Sequence, residues 1–378
     1  MHIFLTGATG FVGKHLLYYI LKTTQDISIT IPVREKKGYS SDERFTKEFI
    51  QAHLFKGCDM SRITMIKKDI DTIEKEDILG ISCFVHCAAS VQFNKSLDSL
   101  LKDNYEPVKR LYTLCKDIKF VYISTCYTHP KTMKEPGKDT PIEKDLSRDN
   151  FICDYAYTKY IAEQYLYDQP SEIDIVRLSC VGAPLEDLPP MRGPAHLSIL
   201  EIAYRKTLSD IWFPDTFQFS VVPVDIVCKN LIEVIQTEHS GLSIKQYAAP
   251  VESKTFNISA IELAAPIFEE NNITYWKNMP YKSFITAITI LYFWIPSLLK
   301  KIIDVNYIIS AVSSNIVFES SIDLPIISKG EYLYRTRQYV QRLVEENPKP
   351  QSEWIQHLYS FFLFVKMWLI KQVMAFYR

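Results

Sequence analysis

Eleven residues near the start of the chain, Ile3-Phe4-Leu5-Thr6-Gly7-Ala8-Thr9-Gly10-Phe11-Val12-Gly13, leave few folds open. The apolar run predicts a short buried strand. Lys14-His15-Leu16-Leu17-Tyr18-Tyr19-Ile20-Leu21 predicts an amphipathic helix directly after it. Three glycines at three-residue spacing join the two. Glycine lets backbone approach a bound group closely, and a helix N-terminus offers unpaired N–H groups to negative charge. The stretch therefore reads as a seat for a dinucleotide pyrophosphate, with Gly7, Thr9, Gly10, Phe11, Val12 and Gly13 as candidate contacts. The spacing is G-x-x-G-x-x-G rather than G-x-G-x-x-G, so the strand before and the helix after carry the reading.

The chain then alternates strands and helices. Ile27 to Val33 predicts a second strand, ending at Arg34. In dinucleotide folds that end meets the adenosine ribose, where an acid holds a 2′-OH and a base accommodates a 2′-phosphate. Arg34 favours NADP(H) over NAD(H). Ile63 to Ile66 predicts strand three; beyond it Asp69, followed by Ile70, reads either as a partner for the adenine amino group or as a simple turn aspartate. Cys83 to Ser90 predicts strand four, whose small Ala88 and Ala89 would let a cofactor pass closely. A helix from about Lys95 to Lys116 carries Asn104, and Phe120 to Ile123 predicts strand five, ending in Ser124-Thr125. After a surface excursion from Thr128 to Asp154, a helix opens at Asp154. Ile173 to Leu178 predicts strand six, Pro184 to Pro194 a loop, and Thr255 to Ile258 the last strand. This order predicts an α/β fold, a Rossmann-type doubly wound parallel sheet over residues 1–262. A smaller, mainly helical apolar region follows over 263–378. Ligands in such sheets bind beyond the carboxyl ends of the strands, where each residue named above lies.

A net charge of −1 argues against general nucleic-acid binding. Eight cysteines without a CxxC pair argue against a zinc or disulfide framework and for a reducing compartment, and no metal is expected. With the glycine strand starting at residue 2, no room is expected for a signal peptide. Ser283 to Leu299 is 17 residues without a charge, interrupted by Pro296, at the lower limit for a spanning helix, which needs ~20. Trp354 to Tyr377 is apolar but carries Lys366 and Lys371. Both read as interfacial membrane segments with cytosolic termini, or as core helices of a small α domain.

The chemistry gathers on the helix opening at Asp154. Tyr155 and Lys159 are four apart and share one face. A phenol is a poor acid or base at neutral pH, and a neighbouring ammonium is expected to lower its pKa. The same ammonium can hold the nicotinamide ribose. Thr125, ending strand five, has a hydroxyl to offer a substrate oxygen. Thr125, Tyr155 and Lys159 thus read as a proton-handling set beside a hydride donor.

With these residues in view, the sequence resembles the extended short-chain dehydrogenase/reductases and, more narrowly, the fatty acyl-CoA reductases. The resemblance rests on TGATGFVG (6–13), VREKKG with ERF (33–38, 43–45), VHCAASVQF (85–93), FVYISTCYTHP (120–130), YAYTKYIAE (155–163), RLSCVGAP (177–184) and VVPVD (221–225). It covers residues 1 to about 260, and 324–340 in outline. Leu178 stands where the family usually has proline, and the C-terminal region is shorter than usual. The resemblance implies NADPH, a long-chain acyl-CoA substrate, hydride transfer to the thioester carbonyl, an aldehyde or primary alcohol product, and an apolar C-terminal region that shelters the acyl chain or meets a membrane. Two other readings use the same motifs: a membrane-associated hydroxysteroid dehydrogenase, which the 33–45 run argues against, and a non-catalytic NADP(H) sensor, which the retained tyrosine and lysine argue against.

Overall fold

A computed structural model describes residues 1–93, 95–132, 139–205, 210–213, 218–250, 253, 255–271, 273–277, 279–291, 293, 296, 299–300, 302–303 and 318–348. The strands are β1 (His2–Thr6), β2 (Ser28–Pro32), β3 (Ile63–Ile66), β4 (Cys83–His86), β5 (Lys119–Thr125), β6 (Ile173–Leu178), β7 (Cys180–Gly182), β8 (Asp210–Phe213), β9 (Gln218–Pro223), β10 (Leu242–Tyr247), β11 (Asn257–Ser259) and β12 (Thr274–Lys277). The helices are α1 (Phe11–Thr23), α2 (Ser41–Phe45), α3 (Leu97–Asn104), α4 (Glu106–Cys115), α5 (Asp154–Tyr167), α6 (Ala195–Tyr204), α7 (Val224–Gln236), α8 (Ala260–Glu270), α9 (Tyr281–Leu291) and α10 (Lys329–Glu346).

Seven strands form one parallel sheet in the order β3-β2-β1-β4-β5-β6-β10. This is the doubly wound arrangement expected from the sequence, with its switch point between β1 and β4. β5 and β6 are buried along their whole length, as central strands of a sheet covered on both faces must be. Alternate side chains serve the two faces. Ile3, Leu5, Val85, Val121 and Ile123 pack under α1 and α7. Phe4, Phe84 and Phe120 lie opposite one another across three strands, stacked at 4.9 and 5.6 Å, under α4 and α5. A second lobe packs α6, α8, α9 and α10 around the β7-β9-β11 sheet and the β8-β12 pair.

Three expectations change in detail. Thr255 to Ile258 does not supply the last strand of the large sheet: β11 pairs antiparallel with β9, and the seventh strand is β10. Its sequence, L-S-I-K-Q-Y, lacks an apolar run because it lies at the sheet edge. The helix expected from Lys95 to Lys116 breaks at Tyr105 into α3 and α4; Pro107 has no N–H to continue the ladder. The first nine residues of the Ser283–Leu299 stretch lie in α9, whose Phe284 and Ile288 are wholly buried in the second lobe. No helix among the described residues is long and apolar enough to cross a membrane. Trp354–Tyr377 lies outside the described residues.

The chain after residue 317 returns to the large sheet. Gln246 O of β10 accepts from Ser321 N–H, Gln246 N–H donates to Ser321 Oγ, and the Gln246 side chain donates to Glu319 O at 2.9 Å. The amphipathic α10 buries Tyr332, Leu333, Thr336, Tyr339, Val340 and Leu343 along one face. From it Arg335, Tyr339 and Arg342 reach backbone atoms of Leu185, Met191 and Leu188 in the proline-rich loop.

Candidate active site

The glycine turn has the shape of a close-approach cradle. Gly7 has φ +75°, and a Cβ on it would lie 2.7 Å from Ala88 N at the end of β4. A Cβ on Gly13 would lie 2.3 Å from the Gly7 carbonyl oxygen. Gly10 N–H closes the turn onto Gly7 O at 2.8 Å, and Gly10 caps α1 without a side-chain hydrogen bond or an acid in the first turn. Apart from Gly13 N–H, which meets the Cys87 thiol, this helix end has no side-chain cap, so the residues present fit a pyrophosphate. Thr9, Gly10, Phe11 and Val12 are partly or fully exposed here, and Ala88 and Ala89 line the neighbouring strand end.

At the end of β2, Arg34 forms an ion pair with Asp69 at 2.7 Å, half exposed. Asp69 also accepts from Ile70 N–H, capping a tight turn, so it is at once a turn aspartate and the partner of Arg34. A capping box of Ser40 and Glu43 starts α2 and places Arg44, whose guanidinium donates to Arg34 O. Burial and the charges of Arg34, Arg44 and Lys37 together push the Lys36 ammonium below its ordinary value. Such crowding of like charge is what a multiply charged anion would relieve.

The proton-handling residues stand at the ends of β5 and on α5. Lys159 is buried; its Nζ donates to Ile123 O at 2.7 Å and lies 4.3 Å from the centre of the Tyr122 ring. An ammonium has three N–H groups, so donors remain. Burial pulls Lys159 down to about 8. Thr125 donates to Leu178 O at 3.1 Å and accepts from Tyr127 N–H. Tyr155 is buried beside Phe93, whose ring stands edge-on at 5.3 Å. The expectation that Lys159 lowers the phenol's pKa is overturned. Burial raises it above its ordinary value, and the thiols of Cys153, Cys87 and Cys180 add to the shift. Desolvation leads the shift, and the Lys159 ammonium is not among its causes.

Asn104 does more than its sequence position suggested. Its side chain accepts from Ser90 N–H at 2.7 Å and donates to Ser90 O at 3.0 Å and to Thr158 Oγ1 at 3.2 Å. Thr158 in turn donates to Tyr155 O. One amide thus ties the loop after β4 to the helix carrying Tyr155 and Lys159.

Sequence reasoning missed Glu163 and Arg177. Tyr155, Lys159 and Glu163 fall at successive four-residue steps on the inward face of α5. Glu163 meets Arg177 of β6 at 2.7 Å with both side chains wholly buried. It also accepts from Ser124 Oγ and, at 2.6 Å, from Tyr167 OH. Burial works to raise the Glu163 carboxyl, but the Arg177 charge and these hydrogen bonds hold it below the usual range. The signal was present: an acid on an inward helical face and an arginine inside I-D-I-V-R-L each demand a buried partner.

At the other end of β5, Glu172, Asp174 and His239 converge beside a cavity of about 570 Å³. The Lys119 ammonium lies 3.1 Å from both carboxylates and offsets one of their two charges.

The model of the male sterility protein family, an NAD-binding domain, matches residues 5–231. The chain belongs to this family. Human fatty acyl-CoA reductase 1 is 28% identical over 273 residues, covering 60% of this chain and 52% of its own length. Human fatty acyl-CoA reductase 2 is 26% identical over 279 residues, covering 61% and 54%. The chain therefore spans about half the length of the curated relatives it matches. These findings place it in a nicotinamide-linked reductase family and agree with the resemblance drawn from the motifs. Among solved structures, the terminal R domain of the myxalamid biosynthetic pathway superposes with a TM-score of 0.68 at 18% identity, covering 93% of this chain and 92% of that one. The UDP-glucuronic acid 4-epimerase of Bacillus cereus, in complex with UDP-glucuronic acid and NAD, gives 0.57 at 18% identity, covering 91% and 100%. At these identities the likeness speaks for the fold.

Proposed function

We propose that the protein is an NADPH-dependent fatty acyl-CoA reductase that converts a long-chain acyl-CoA to the fatty aldehyde and on to the primary alcohol, releasing coenzyme A. The observation carrying this reading is the position of Tyr155: on α5 with Lys159, and bordered through Phe93 by the apolar core of the second lobe. In this reading residues 1–262 bind the cofactor, and the second lobe, built from residues on both sides of position 262, shelters the acyl chain.

Each reduction adds a hydride, supplied by the bound nicotinamide, and a proton. Gly7, Thr9, Gly10, Phe11, Val12 and Gly13 seat the pyrophosphate; Asp69, Ile70, Ala88, Ala89 and Asn104 line the dinucleotide's path. Lys159 uses a free N–H to hold the ribose. Tyr155 protonates the oxygen that becomes an alkoxide. Its raised pKa suits a reductase, because the phenol keeps its proton at neutral pH until that moment. Thr125, rotated away from Leu178 O, gives a second donor to the developing oxyanion. Collapse of the hemithioacetal gives up that proton from oxygen as the C–S bond breaks, so that coenzyme A leaves as the thiol and the aldehyde remains; a second hydride and proton give the alcohol.

Arg34 and its cationic neighbours support the 2′-phosphate, with Asp69 displaced as its partner. Arg34→Ala is expected to weaken NADPH by about ten-fold or more, a charge-assisted contact being worth ~1.5–3 kcal/mol, and to leave NADH nearly unchanged in steady-state kinetics. Equal losses with both cofactors would make Arg34 structural.

The reading is tested by incubating purified protein with NADPH and an acyl-CoA panel and identifying products by mass spectrometry. Turnover of a ketosteroid alone would favour the hydroxysteroid reading. NADPH binding without turnover of any carbonyl would favour the sensor.

Interfacial attachment to a cytosol-facing membrane is part of the proposal. Ile290 on α9 and Phe293 just beyond it are 74% and 68% exposed, which supports it. Alkaline carbonate should release much of the protein from membranes; full retention in the pellet would argue for a spanning segment.

A further inference from the structure

In the loop between β4 and α3, both backbone groups of Ser90 are held by the Asn104 amide. Three residues on, Phe93 is half-buried and has two neighbours of different kinds. On one side it meets the Tyr155 ring edge-on, at 5.3 Å and 81°. It also packs against the apolar cluster of the second lobe, which holds Leu197, Phe219 and Phe256. Val91, two residues earlier, is 59% exposed, so an apolar residue also marks the outer part of the loop. A single ring therefore joins the proton donor to the largest apolar region of the second lobe, and the amide clamp at Ser90 fixes it relative to α5.

We propose that Phe93 determines specificity: its ring forms the wall beside the carbons adjoining the reacting carbonyl, admitting unbranched chains and excluding those branched at the α carbon. This rests on the reading of Tyr155 as proton donor to an acyl-derived carbonyl. A carbonyl bonded to that phenol brings its α carbon to the aromatic edge beside it. A straight chain can lie along an aromatic wall toward the second lobe, whereas a methyl branch has to occupy the volume of the ring. Phe93 does not supply a proton or hold the cofactor, so its removal should change which chain is preferred and leave cofactor affinity alone.

The test compares hexadecanoyl-CoA with 2-methylhexadecanoyl-CoA, and the two corresponding aldehydes, for wild type, Phe93→Ala and Phe93→Leu. A methyl group in such a pocket is worth about 10- to 200-fold, so wild type should prefer the straight chain by at least about ten-fold in kcat/KM. Phe93→Ala should shrink that ratio by about ten-fold, with Phe93→Leu between them. The same order should appear without catalysis, as calorimetric affinities for non-reducible thioether analogues of the two acyl-CoAs. NADPH affinity should stay within about two-fold, since no contact to the cofactor cradle is lost. If both substrates slow equally and the ratio stays fixed, Phe93 is only packing and the proposal is overturned. Should Phe93→Ala fail to fold, the Phe93→Leu ratio decides in the same way. A wild type that reduces aldehydes but no thioester would overturn the acyl-CoA reading, while the aldehyde ratio would still decide the role of Phe93. A wild type that reduces neither and binds neither analogue overturns both.

Discussion

Tyr155→Phe is expected to lower turnover by about 10²- to 10⁴-fold, the usual contribution of a positioned acid, while NADPH binds nearly as before. The substitution keeps the ring that packs against Phe93 and removes the hydroxyl alone. Lys159 stays on Ile123 O and over the Tyr122 ring, so the ribose contact survives. Fluorescence titration of NADPH and steady-state rates on an acyl-CoA check the two halves separately. Residual activity above about a tenth of wild type would remove Tyr155 from the acid's role. The pH dependence gives a second handle. Burial holds Lys159 to about 8, so its charge is present below that pH and is lost as pH rises through it. NADPH affinity should weaken between pH 7 and 9 in wild type and in Tyr155→Phe alike.

Arg177→Met should destabilise the protein by about 3–5 kcal/mol, because it leaves the Glu163 carboxylate buried without its counter-charge. That is a large share of the ~5–15 kcal/mol by which a typical domain is stable. The guanidinium also donates to Thr140 O at 2.9 Å and to Tyr167 OH at 2.7 Å, and these are lost with it. Glu163→Gln combined with Arg177→Met removes the stranded charge and should recover part of the loss. Urea unfolding followed by circular dichroism reads both. A single variant within about 0.5 kcal/mol of wild type would show that the pair does not hold α5 in place.

The large sheet was legible because its central strands are buried and mainly apolar, with glycine, proline or charge between them. β10 was not: at the edge it alternates Ser243, Lys245 and other polar residues, and its pairing with Ser321 cannot be read locally. The cradle at Gly7 to Gly13 was legible because close backbone approach leaves glycine as its trace. Tyr155 and Lys159 were legible as a spacing, but the sign of the Tyr155 shift was not. It depends on how much water reaches the phenol, a property of packing. Phe93 and Glu163 are set by neighbours distant in the chain, Tyr155 and Arg177, and look ordinary until those neighbours are placed.

Tyr332 of α10 puts its hydroxyl 2.2 Å from where a Cβ on Gly182 would be, and Arg335 holds Leu185 across a separation of 150 residues. A chain is made from its N-terminus at about 5–20 residues per second, so β7 and the loop after it emerge on the order of ten seconds before their cover does. During that interval β7 and β9 already have α6, α7 and α8 to pack on, but Gly182 lacks Tyr332 and the loop after β7 lacks the three side chains that hold it from α10. A nascent chain arrested before residue 329 should be cut by protease within 184–194, and one arrested well past 346 should resist. Equal cutting of both would mean that the loop closes without α10. Helix α10 thus sets the moment at which the loop at 184–194 becomes fixed.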